Sequence, residues 1–416
     1  MTTLITHIEQ LIGTRAQTHV LRGKELAEMP AIEKAFVLIE DGVIAGYGKM
    51  NELELSVPQL PKEIIDVSGQ FVMPSWCDSH SHIVFAGGRE GEFVDRIKGL
   101  TYAEIAAKGG GIINSSKKIN EISEDALFNE AWTRLEAVSK LGSGALEIKS
   151  GYGLTVAGEL KMLRVIRKLK QKSPVTIKAT FLGAHSYPPE FKDDHQGYIE
   201  MIINEMIPVI ASEKLADYID VFCETGFFSP EETGIICRAG MMYGLKPKLH
   251  VNQLNSIGGI EMGQRLDAVS LDHLETLTAA DIKLLSDKTW GGLCTLLPTA
   301  AFFLRMPFQP ARKLIDAGCA VALASDYNPG SSPSGNMNLV VAMSCIQMEM
   351  LPEEAINAAT INGAYAMEVG DQLGSITIGK KANLIITKPI PSLACLPYSF
   401  GTNLIDKVMV NGAFLF

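Results

Sequence analysis

Gly69-Gln70-Phe71-Val72-Met73-Pro74-Ser75-Trp76-Cys77-Asp78-Ser79-His80-Ser81-His82 is an apolar run that ends on an acid and two imidazoles, with Arg89 seven residues further on. The run reads as a strand over about 71–79. Side chains two apart on an extended strand share a face, so His80 and His82 project together, about 6.6 Å apart along the backbone at roughly 3.3 Å per residue. Two nitrogens placed in this way can converge on one divalent cation. An HxH tripeptide is common by itself, and its meaning depends on what the rest of the chain sets beside it. Cys77 has the opposite parity and reads as a packed thiol.

Downstream, strands alternate with helices, the pattern of a parallel sheet. Strands are expected at 145–149, 175–184, 218–223, 247–251, 268–272, 292–295 and 320–325. Helices are expected at about 123–140, 156–171 and 199–211. Ser229-Pro230-Glu231-Glu232 is a helix start with N-cap, N1 proline and capping glutamate. Thr278 and Pro310 open two more helices. A short helix is expected from Thr101-Tyr102-Ala103-Glu104, stopped by Gly109-Gly110-Gly111. Eight strand–helix repeats make a (β/α)8 TIM-like barrel.

The two ends of the chain are different. Ala35–Glu40 and Val43–Gly48 flank Asp41-Gly42, a hairpin signal, and 374–387 with 407–416 repeat the strand–turn–strand pattern. Residues 1–66 plus 370–416 are therefore expected to form one small β-sandwich-like domain, with 67–369 as the barrel. At 416 residues the chain has room for both.

Barrel chemistry sits at the C-terminal ends of the strands. The expected strands end, in order, on His80 and His82, Lys149, His185, Glu224, His250, His273 and, at strand eight, Asp326. Five of the eight histidines fall at these ends. Imidazoles from separate strands with one carboxylate suit Zn²⁺ or Fe²⁺ with a position left for water. His80, His82, His250 and Asp326 are the candidate ligands, with Asp326 also the proton acceptor and His273 a partner for the carbonyl oxygen or the hydroxide. Lys149 and Glu224 could serve a second metal, the lysine only if carbamylated. They read instead as structural, Lys149 having no obvious partner, and one metal is expected. Arg89 is either a carboxylate clamp or a loop surface charge. Tyr152 lies in a glycine-flanked turn past strand two, and Asn328, Gly330 and Ser331 offer polar groups at the mouth.

A formal charge of −10 argues against nucleic acid or an anionic membrane as partner. No apolar run is long enough for a membrane span, and the N-terminus lacks signal-peptide character. Seven scattered cysteines without a CxxC pair read as reduced thiols, so a cytoplasmic location is expected.

These residues resemble the metal-dependent amidohydrolase superfamily and, within it, the imidazolonepropionase family. The likeness is carried by Asp78-Ser-His-Ser-His-Ile-Val-Phe-Ala-Gly-Gly-Arg-Glu, Glu104-Ile-Ala-Ala-Lys-Gly-Gly-Gly-Ile, Glu147-Ile-Lys-Ser-Gly-Tyr-Gly-Leu, Thr180-Phe-Leu-Gly-Ala-His, Ser270-Leu-Asp-His-Leu-Glu and Ala324-Ser-Asp-Tyr-Asn-Pro-Gly-Ser. The resemblance implies hydrolysis of the ring C–N bond of 4-imidazolone-5-propanoate to N-formimidoyl-L-glutamate, a step of histidine degradation. It implies one zinc or iron ion on His80, His82, His250 and Asp326, and a homodimer. It implies Arg89 for the propionate carboxylate, and Tyr152, His185, Gln253, Asn328, Gly330 and Ser331 around the substrate. The chain departs from the pattern at Gln253, where some members carry Glu; a carboxamide hydrogen-bonds but cannot shuttle a proton. The alternatives are another cyclic amidohydrolase or ring deaminase of the same superfamily, and a metal-binding scaffold without activity.

Overall fold

The computed structural model describes residues 2–100, 104, 108 and 110–415. The helix expected at 101–104 and its glycine stop lie largely outside these residues. The chain opens with five strands, β1 (Thr2–Ile12), β2 (Ala31–Glu40), β3 (Val43–Lys49), β4 (Glu63–Asp66) and β5 (Phe71–Pro74). The barrel strands follow: β6 (Trp76–Ser81), β7 (Ser143–Lys149), β8 (Thr176–Ala184), β9 (Tyr218–Cys223), β10 (Lys246–Val251), β11 (Ser270–His273), β12 (Leu293–Leu296) and β13 (Val321–Leu323). The last three strands, β14 (Leu384–Thr387), β15 (Ile405–Val410) and β16 (Ala413–Leu415), return to the first sheet.

β6 to β13 pair in sequence order, all parallel. The ring closes where β13 meets β6: Asp326 N–H donates to His80 O at 2.9 Å, and His82 N–H donates to Tyr327 O at 2.9 Å. Asp78 fixes this seam. Its carboxylate accepts from the Ser325 N–H at 2.9 Å and the Ser325 hydroxyl at 2.6 Å. Helices occupy the segments between strands, including Glu124–Lys140, Val156–Lys172 and Pro230–Met241, capped by Ser123, Thr155 and Ser229. The helix expected at 199–211 is broken into His195–Met201, a π turn at Ile202–Met206, and Ile207–Glu213. Pro208 is the cause, because it has no N–H to continue the helical ladder.

The remaining strands form one sheet in the order β16-β15-β14-β5-β1-β2-β3, with β4 beside β1. Its core is Ile5, Ile8, Val37, Ile39, Val72, Leu384, Ile386 and Met409. Asp41-Gly42 and Asn411-Gly412 both take positive φ at the two turn positions (47° and 84°; 50° and 75°), the requirement of the tight hairpin that matches strand twist. The sheet curls until these two tips touch, and the Cα of Gly42 sits where a side chain on residue 412 would have to go. The largest departure from expectation is at the first barrel strand. The run 71–79 is two strands in two sheets, divided at Pro74-Ser75. Proline has no donor to extend the ladder. Ser75 N–H turns to Asn383 O at 2.9 Å, and Trp76 N–H to Gly142 O at 2.9 Å, so the chain crosses from sheet to barrel within one residue.

Candidate active site

β6 carries His80 as its penultimate residue and His82 just past its end, on one face as the two-residue period requires. Their Nε2 atoms are 3.3 Å apart. Asp326 Oδ1 lies 3.5 Å from each of them. His250, at the end of β10, joins them; the ligand-capable nitrogens of His80, His82 and His250 all lie within 4.8 Å of one another. The three imidazoles are buried, and burial first, then the neighbouring cationic groups, holds their pKa values well below the usual histidine range. They are therefore neutral, the form that binds a metal.

The imidazoles are aimed from below. Asp272 Oδ2 is 2.7 Å from His80 Nδ1. Asp220 Oδ2 is 2.9 Å from His250 Nδ1, off the hydrogen-bond axis, while Asp220 Oδ1 accepts the His250 main-chain N–H at 3.1 Å. A proton on His80 Nδ1 leaves the Nε2 lone pair facing His82 and Asp326. Two such lone pairs 3.3 Å apart cannot both be satisfied by each other. A tetrahedral cation with metal–nitrogen bonds of 2.0–2.1 Å separates its nitrogens by about 3.3 Å. The donor set therefore fits one cation, with Asp326 at the edge of the trio.

His273 ends β11 one residue beyond the inward-facing Asp272, so strand parity alone would turn it away. Its φ of 84°, followed by 65° at Leu274, swings it back, and its ring lies 5.2 Å from that of His250. Burial pulls its imidazole pKa down, but Glu275, 3.3 Å from Nδ1, together with Asp326 and Asp272, outweighs burial and leaves it raised. Burial lifts Asp326 to about 6 against the opposing effect of His273 and the Asn328 and Ser331 hydrogen bonds.

Above these groups lies a small pocket of about 50 Å³ lined by His82, Tyr152, His185, Gln253, Asp326 and Ser331, among others. It continues into a cavity of about 700 Å³ that reaches Arg89, Phe93, Arg96 and Phe303. Every residue expected around a substrate lines one or both. His185 donates from Nδ1 to Gly151 O at 3.0 Å, and burial lowers its pKa to about 4, leaving a neutral ring beside His82. Arg89 Nε and Nη2 bond Glu92 Oε2 at 2.9 and 2.6 Å, and its guanidinium packs so closely on Gly330 that a Cβ there would displace it. Asn328 is used up in shaping its loop: Nδ2 donates to Asp326 O and Ser331 Oγ, and Oδ1 accepts the N–H groups of Gly330 and Ser331.

Two residues considered for a second metal have other occupations. Glu224 accepts from the main-chain N–H groups of Thr225, Leu254 and Asn255. Lys149, for which the sequence offers no partner, is fully buried and ion-paired to Glu147 and Asp220 at 2.6 and 2.8 Å. Among the described residues only His80, His82 and His250 form a group able to hold a metal. Asp78, Asp220, Asp272, Glu147, Lys248 and Glu275 are the functional neighbours that the strand-end reading passed over. For Asp78 and Lys248 a signal was present: a charged residue inside an apolar strand, two residues before His80 and His250.

An eight-stranded parallel barrel with imidazoles and an acid at its strand ends defines a metal-dependent amidohydrolase, and the Amidohydrolase family profile matches residues 247–415. Solved structures agree on the fold: E. coli guanine deaminase superposes with a TM-score of 0.76 at 14 % identity, covering 100 % of this chain and 99 % of that one. A triazine hydrolase variant gives 0.73 at 16 % identity, over 100 % and 94 %. Among curated proteins, the imidazolonepropionase of Flavobacterium johnsoniae is 57 % identical over 99 % of this chain and 99 % of that protein. That of Geobacillus sp. is 42 % identical over 95 % and 93 %. The chain belongs to the imidazolonepropionase family.

Proposed function

We propose that this chain hydrolyses the ring C–N bond of 4-imidazolone-5-propanoate, giving N-formimidoyl-L-glutamate, with a single zinc or iron ion held by His80, His82, His250 and Asp326. The observation that carries the reading is the convergence of three neutral imidazoles and one carboxylate beneath a cavity whose rim presents Arg89. Family membership supplies the substrate.

The cation, when bound, supplies Lewis acidity, polarising the ring carbonyl and acidifying the attacking water. Asp326 accepts the proton that water loses as its oxygen bonds the carbonyl carbon, and returns it to the ring nitrogen as the C–N bond breaks. A carboxylate raised to about 6 by burial is well placed for both halves of that transfer. His273, whose imidazole pKa Glu275 raises against burial, donates to the carbonyl oxygen as negative charge develops there. Arg89 takes the propionate carboxylate with the donors that Glu92 leaves open, and Glu92 fixes its direction. Tyr152, His185 and Gln253 enclose the ring, while Asn328 holds Gly330 and Ser331 in place. The β domain expected as 1–66 with 370–416 extends to Pro74, because β5 pairs within the terminal sheet, and the barrel beside it begins at Trp76. We further infer a cytoplasmic homodimer; no helix among the described residues is long and apolar enough to cross a membrane.

Freshly prepared imidazolonepropionate should lose its ultraviolet absorbance on addition of the chain, without ammonia release, and chelation should stop the loss. Ammonia release would transfer the chain to the deaminase reading. An inert, fully metallated chain would overturn the substrate.

A further inference from the structure

Beneath the metal site, five charged side chains are sealed from solvent: Glu147, Lys149, Asp220, Lys248 and Asp272 are each fully buried. They come from β7, β9, β10 and β11, at inward positions of the barrel. Their partners divide them into two halves. Lys149 Nζ lies 2.8 Å from Asp220 Oδ2 and 3.5 Å from Asp272 Oδ2. Those are the same two oxygens that face His250 Nδ1 and His80 Nδ1. Lys248 pairs with Glu147 and donates to Ser79 O and Ala366 O at 3.1 and 3.2 Å. Although it lies opposite Asp220 in the ladder, it is ion-paired to neither aspartate. Glu147 joins the halves, bonding Lys149 through Oε1 at 2.6 Å and Lys248 through Oε2.

We propose that Lys149 is a positioning residue for the metal site: one ammonium, by holding Asp220 and Asp272 together, sets the direction of His250 and His80 as a pair. The inference rests on the metal-site reading above. Three features carry it. Each aspartate has a second bond that locks its other oxygen, from His250 N–H in one case and from Ser270 Oγ at 2.5 Å in the other, so the carboxylates cannot rotate to find new partners. Two carboxylates sharing a dry site repel strongly, and only a cation between them keeps both at hydrogen-bond distance from the imidazoles. Finally, Lys149 stands on β7, between β6, which carries His80, and β10, which carries His250, so it ties together ligands that share no backbone ladder. Groups behind metal-bound imidazoles fix ring direction and raise ligand basicity, and losing one typically costs 10–100-fold in metal affinity. Here one side chain serves two ligands.

A matched pair of double variants separates positioning from mere stability. Lys149→Met/Glu147→Gln and Lys248→Met/Glu147→Gln each remove one buried cation and one buried anion, so the cluster's net charge is unchanged in both. Zinc dissociation constants are measured by competition with a chromophoric chelator, and the cobalt-loaded chains are compared by visible absorption. In the first variant, zinc should bind about 10–100-fold more weakly than in wild type and the cobalt bands should shift. In the second, affinity should stay within about threefold and the bands should hold. Equal affinities and equal spectra in the two variants would overturn the proposal. If either double variant does not accumulate as a folded chain, Lys149→Gln and Lys248→Gln are compared in the same way, with the same two outcomes. Wild-type chain that binds no metal would instead overturn the metal-site reading itself.

Discussion

The floor of the site and its rim are built by opposite means. At the floor, His80, His250, Asp272, Asp220 and Lys149 sit on the barrel strands, buried from solvent and linked by ion pairs and by the His250 main-chain N–H to Asp220. At the rim, the helix Glu90–Ile97 leaves Phe93 and Ile97 44 % and 58 % exposed. Among the described residues, Phe93 stacks on Phe303 at 5.4 Å, and Arg96 donates to Gly330 O at 3.2 Å. In a buried polar network each unpaired member is costly, whereas an exposed rim can change residue by residue. The difference teaches where each property resides. On the function proposed above, the bond-breaking chemistry belongs to the buried floor and the choice of substrate to the rim.

The comparison is broken if changes at the rim affect turnover more than changes at the floor. Asp326→Asn should lower turnover by about 10² or more while metal remains bound, as loss of a positioned acid–base group does. A near-wild-type rate in metallated Asp326→Asn would remove the acid–base role from the floor. Arg89→Gln should act next, raising KM by about 10–100-fold with a smaller change in kcat, the worth of one charge-assisted bond to a carboxylate. An analogue lacking the propionate should show no such penalty; if it suffers equally, Arg89 does not read the carboxylate. Gln253→Glu, where floor meets rim, should keep measurable activity and move the pH profile, because it adds a titrating group to the inner pocket. An unmoved profile would place Gln253 away from the reacting ring. Smallest of all, Phe93→Ala should change KM a few-fold and leave kcat alone, since an exposed ring gives up little on truncation.

What the sequence discloses follows the same division. Strand-end histidines were legible because strands have a fixed period and barrels a fixed active face, so His80, His82, His250 and Asp326 could be placed before any coordinates. The aspartates behind them were not, because a pairing such as His80 with Asp272 spans 192 positions and depends on strand order around the ring. His273 was expected at a strand end beside the site, although parity opposes an inward ring there. Only its positive φ brings it to the site. Pro74 hid a change of sheet inside one apolar run. The helix at Glu90–Ile97 was missed although Phe93 and Ile97 share one face at helical spacing; that face lines the cavity instead of the core.

The central claim is that one cation on the floor is required for ring opening. Its most direct measurement is a titration of metal-stripped chain with zinc, and separately with iron, while imidazolonepropionate absorbance is followed. The account predicts that the hydrolysis rate rises linearly to one equivalent per chain and then stays level, and that His250→Ala abolishes the rise. Hydrolysis at full rate without metal, or a rise that continues to two equivalents, would contradict it.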